Sequence, residues 1–128
     1  DLLDLALAAA QGDLSGMTLD VEDAHAVTVV LASEGYPEKP IAGRVISGLD
    51  AAGQLAEPVD GAVVFHAGTA RTSGGWTTLG GRVLAVTAKA STPEAARTRA
   101  YEAAGRIRFD GMQLRRDIGC AVREASTA

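Results

Sequence analysis

Cysteine is nearly missing from this chain. One thiol, Cys120, stands among 128 residues, so no internal disulfide can form and the composition fits a reducing compartment such as the cytoplasm. No motif surrounds Cys120, and it is read as inert. Aromatic residues make up only 4% of the chain against 47% for all hydrophobic residues, so the core has to be built from Ala, Val and Leu. Histidine occurs twice, at His25 and His66, and without H-x-x-x-H or C-x-x-C spacing no metal site is legible. Apolar runs fall far short of a membrane span, and no signal peptide is present, so no membrane partner is expected. Walker loops, G-x-G-x-x-G turns and G-x-S-x-G elbows are absent too, and no catalytic residue is assigned. Positive charge is missing from the early chain: Asp1, Asp4, Asp13, Asp20, Glu22 and Asp23 all precede the first basic residue, Lys39. The net charge of −4 argues against a nucleic-acid binder.

What is present organises itself around Val63 to Thr87. Two β-rich runs, Val63–Thr69 and Gly80–Thr87, flank a connection rich in Gly, Ser and Thr, the pattern of an antiparallel hairpin with a long or interrupted link. Trp76-Thr77-Thr78 inside that link predicts a short strand of its own. Strand alternation puts Arg82 on the face of Leu84 and Val86, unless a bulge at Gly80-Gly81 resets the parity. An arginine opening that face belongs at the rim of a core or cleft. His66 shares a face with Val64 and reads first as a hydrogen-bonded packing residue.

Elsewhere, Asp1 to Gln11 reads as a helix already under way, because no capping residue precedes Asp1, and Gly12 is its stop. With no initiator Met, the chain is expected to be cut from something longer. Ala26–Ala32 is a continuous apolar run and predicts a strand buried on both faces. Arg44–Ser47 predicts a short strand, and Leu49–Ala56 a short helix ended by Pro58. The clearest helix starts at Thr92-Pro93-Glu94, with cap, first-turn proline and acidic residue in order. Its buried face is Ala96, Ala100, Ala103, Ala104 and Ile107, and Glu102–Arg106 is an outward pair. Met112–Arg116 predicts a last short strand, and the tail from Arg123 reads as disordered. The fold class is α+β: a mostly antiparallel sheet with one long helix near the C-terminus and another helix at the start.

Several segments in order resemble a known family. They are 26–37 (AVTVVLASEGYP), 65–69 (FHAGT), 80–88 (GGRVLAVTA), 100–103 (AYEA) and 109–119 (FDGM…RRDIG). Together they resemble the C-terminal domain of the phosphoribosylamine–glycine ligases, enzymes of the ATP-grasp superfamily in purine biosynthesis. The resemblance implies that residues 1–24 end an ATP-grasp domain, that 25–122 form the C-terminal sheet domain, and that 123–128 are a tail. It implies a full-length enzyme using ATP with Mg²⁺ or Mn²⁺, both bound upstream of this chain. There, glycine is activated as an acyl phosphate that the amine of phosphoribosylamine attacks. The partners implied are the N-terminal and ATP-grasp parts of the same enzyme and small-molecule substrates. The fragment alone is expected to be inactive. By analogy with related enzymes, Arg82 is the first candidate for the substrate's 5′-phosphate. Gly68 and Thr69 are expected to add a backbone N–H and a hydroxyl, with His66 and then Arg116 as weaker candidates. The alternatives are the equivalent domain of a sister ATP-grasp ribonucleotide enzyme and a non-catalytic binding module.

Overall fold

A computed structural model describes residues 1–120. The expected disordered tail, 123–128, lies outside the described residues.

Two three-stranded antiparallel sheets carry the fold. In the first, β1 (His25–Ala32) and β3 (Ala62–His66) flank β6 (Arg82–Ala90). In the second, β2 (Val45–Ile46) and β4 (Thr69–Thr72) flank β5 (Gly75–Thr78). The link between the two long runs is therefore a hairpin, β4–β5, and it belongs to a sheet of its own. The helix α1 (Leu2–Gln11) comes first, and α2 (Pro93–Gly105) packs on β1 and β6. The expected α+β architecture is thus observed.

The local signals around α2 act as their chemistry requires. The Thr92 hydroxyl accepts a hydrogen bond from the Ala95 N–H at 3.2 Å, and Pro93 occupies the first turn. Ala96, Ala100, Ala103 and Ala104 are buried against the sheet, with Ile107 just beyond the helix. Short side chains let the helix lie close to Val29, Leu31, Leu84 and Val86, which are fully buried. Glu102 meets Arg106 at 2.7 Å. The helix α1 ends at Gly12 in the left-handed region (φ 79), as expected. Its start differs from expectation: the Asp1 carboxylate itself accepts from the Leu3 N–H at 2.7 Å and caps the helix. None of its residues is buried.

Three other expectations are corrected. The strand β1 is not buried on both faces. Val27, Val29 and Leu31 are buried while Thr28 and Val30 are exposed, because α2 covers one side only. The open side carries the cross-strand rows Val30–Ala85–Phe65 and Thr28–Thr87–Val63. Residues 49–56 form no helix. Asp50 and Gly53 impose a turn, with the Asp50 carboxylate accepting from the Gln54 N–H at 2.9 Å, and Leu49 bridges Leu55. Met112–Arg116 forms no strand beyond one bridge, Gln113 to Ala32.

The loop at 50–54 has a task. β3 is an edge strand, and the Gln54 amide pairs with it as a neighbouring strand would. Its Nε2 donates to the Val64 carbonyl and its Oε1 accepts from the Val64 N–H, both at 2.9 Å. Gln54→Leu is expected to leave both groups unpaired and to cost about 1–3 kcal/mol of stability. Urea denaturation reads this, together with faster hydrogen exchange at the Val64 amide.

Candidate functional site

The ladder between β1 and β6 slips where the site begins. Leu31 pairs with Leu84, but Ala32 pairs with Arg82, so Val83 is an extra residue on β6. The bulge lies at Val83 and not at Gly80-Gly81. It puts Val83 and Leu84 both inside, fully buried. The expected parity is therefore corrected: Arg82 does not share the side of Leu84 and Val86, and instead joins Val30 and Ala85 on the open side.

Arg82 is exposed and, among the described residues, forms no ion pair. It lies between two concavities. One, of about 520 Å³, includes Tyr36, Pro37, Pro40, Ala67 and Ala85. The other, of about 470 Å³, includes Ala32, Gln113, Leu114 and Arg115. Val30, Tyr36 and Arg82 line both. The Tyr36 ring lies where a side chain on Gly81 would sit, so the glycine before Arg82 is what admits it. The Tyr36–Pro37 peptide bond is cis.

The other candidates are engaged inside the protein. The Gly68 N–H donates to the Arg82 carbonyl at 2.8 Å, and its carbonyl accepts from Leu79. The His66 Nε2–H donates to the Gly53 carbonyl at 2.8 Å, which leaves Nδ1 as the acceptor for the Thr69 hydroxyl at 2.8 Å. The His66 ring also rests tilted against Trp76, with centroids 4.4 Å apart. His66 and Thr69 thus hold the crossing from β3 to β4, and Gly68 seats the Arg82 backbone. Arg116 lines a different hollow, with Tyr101, Gly105 and Arg108 beside α2, and is not brought to Arg82. The structure adds Tyr36, Gln113 and Arg115, which the sequence did not single out. Only the Gly-Gly step before Arg82, which admits the Tyr36 ring, left a trace of them.

Arg115 forks onto Asp117, with Nε–Oδ1 at 3.0 Å. The side-chain hydrogen bond from Arg115 holds the Asp117 carboxyl below the ordinary carboxylate range. Two other late arginines serve as straps: Arg97 donates to the Ile118 and Arg116 carbonyls, and Arg106 to those of Glu57 and Pro58. Among the described residues, no three His, Cys, Asp or Glu side chains gather as metal ligands would. No helix among them is long and apolar enough to cross a membrane.

A sequence profile described as "Phosphoribosylglycinamide synthetase, C domain" matches residues 26–121. The chain belongs to this family. Its relatives include the phosphoribosylamine–glycine ligase of Leifsonia xyli, 51% identical over 117 residues, covering 89% of this chain and 27% of the relative. The enzyme of Neisseria meningitidis serogroup A is 48% identical, covering 92% of this chain and 27% of the relative. A crystal structure of phosphoribosylamine–glycine ligase from Thermotoga maritima matches with a TM-score of 0.73 at 34% identity, covering 91% of this chain and 27% of that one. This C domain thus spans about a quarter of the length of those ligases.

Proposed function

We propose that this C domain is one wall of the active site of a phosphoribosylamine–glycine ligase, where Arg82 binds the substrate's 5′-phosphate. Such an enzyme joins glycine to 5-phosphoribosylamine, with ATP converted to ADP and phosphate, in cytoplasmic purine synthesis. The observation that carries the assignment is the Arg82 guanidinium, without an ion pair among the described residues, at the meeting of two concavities. A planar fork in that position suits two-point binding of a phosphate. Gly68 supports it by bonding the backbone from which it projects, and His66 and Thr69 hold the chain on either side of Gly68. No step through ATP or a metal ion is assigned to these residues, and the chain alone is expected to be inactive. The exposed Leu2, Leu3 and Leu7 of α1 are assigned to contacts with the remainder of the ligase.

The test is Arg82→Ala in the full-length ligase. A hydrogen bond to a charged group contributes about 1.5–3 kcal/mol, so KM for phosphoribosylamine should rise roughly tenfold to a hundredfold. The KM for ATP should stay nearly constant. Unaltered phosphoribosylamine kinetics would remove Arg82 from the site.

A further inference from the structure

We propose that Gln113 and Arg115 form a second jaw facing Arg82, so that a sugar phosphate is gripped across Ala32 from both sides. This rests on the reading of Arg82 as a phosphate ligand and adds the residues that complete it.

The register makes the argument. Ala32 pairs with Arg82 on one flank and bridges Gln113 on the other. The bridge is bonded both ways: the Ala32 N–H donates to the Gln113 carbonyl at 2.8 Å, and the Gln113 N–H donates to the Ala32 carbonyl at 2.9 Å. Neighbouring strands lie about 4.8 Å apart, so the Arg82 and Gln113 backbones are separated by roughly twice that, with one methyl group between them. Leu114 packs against the core, while Gln113 and Arg115 on either side of it are exposed. Arg82, Gln113 and Arg115 line the same cavity of about 470 Å³, with Ala32 at its floor.

The donors suit one ligand class. Two arginines and a glutamine amide line one hollow whose intervening residue, Ala32, is too small to fill the space. A phosphate monoester presents three charged oxygens to such a set. Val30 and Leu114 supply apolar wall for the carbon skeleton of the sugar. Among the described residues, the Arg115 side chain is held by Asp117, and both side chains are well exposed. Exposed pairs of this kind are weak, so a phosphate dianion competes effectively for the fork.

The experiment is an amide chemical-shift titration of the 128-residue chain with ribose 5-phosphate, with ribose as control. Ribose 5-phosphate is expected to move the amides of Ala32, Arg82, Gln113 and Arg115, and ribose to leave them in place. Arg115→Ala should weaken binding about tenfold, the size of a charged hydrogen bond, and Arg115→Lys should restore part of it by keeping charge without the fork. Gln113→Ala guards against misfolding, since only the backbone of Gln113 pairs with Ala32; it should weaken binding several-fold with the spectrum otherwise intact. If Arg82→Ala weakens binding but Arg115→Ala and Gln113→Ala do not, the second jaw is wrong and the Arg82 reading stands. If ribose 5-phosphate moves none of these amides, or if Arg82→Ala binds it as tightly as the parent, both fall.

Discussion

Gly68→Ala is expected to lower stability and ligand binding together. A methyl group on Gly68 would stand 2.7 Å from the Arg82 carbonyl oxygen and 2.8 Å from the Gly80 Cα. Those atoms are backbone, so they yield only if the strand moves. The same carbonyl accepts the Gly68 N–H at 2.8 Å, and the contact cannot open without losing that bond. Overpacking of this kind costs about 1–3 kcal/mol. For a domain of this size that lowers Tm by roughly 4–12 °C. Because the displaced backbone is that of Arg82, affinity for ribose 5-phosphate should fall as well. Gly74→Ala is the control: its nearest neighbour would be the Thr72 hydroxyl at 3.9 Å, and its backbone is not left-handed. It should be neutral or slightly stabilising. Equal melting temperatures for the two variants would refute the close-approach account.

The contrast between those glycines shows where sequence reading succeeds and stops. Thr92-Pro93-Glu94 and the alanine spacing behind it specify α2 through interactions within a few residues, and the structure agrees. The open face of β1 depends instead on what covers it. An unbroken apolar run looks the same whether one side is covered or two, and here α2 covers one. The direction of Arg82 depends on a bulge at Val83, which exists only because Ala32, fifty positions away in the chain, takes Arg82 as its partner. No local pattern around Gly80-Gly81 contains that register. Residues 49–56 predict a short helix, but Asp50 and Gly53 bring turn chemistry that outweighs it. For the site, Arg82 was legible as an arginine opening a strand in a family-like segment. Gln113 and Arg115 were not, since their nearness to Arg82 passes through two backbone pairings at Ala32.

The largest loss of stability is expected at Ile107. It is fully buried, immediately after α2, and its neighbour Arg108 is bonded to Ser47 in both directions, at 2.8 and 3.1 Å. That bridge ties the chain just past the helix to the residue after β2, so the backbone at 107 is held from both sides and cannot sink into a void. The face of α2 leading to it is alanine, which has no longer rotamer with which to fill one. Ile107→Ala should therefore keep most of its cavity, and the cost should lie in the upper part of the usual range of about 2–5 kcal/mol. Ile107→Val, which removes a single methylene, should cost only about 0.5–1.5 kcal/mol. Urea denaturation reads both, with the midpoint lowered and the slope unchanged, because the surface exposed on unfolding is nearly the same. A loss below about 1 kcal/mol for Ile107→Ala would mean that the helix end relaxes into the gap, and that the Ser47–Arg108 bridge does not hold it in place.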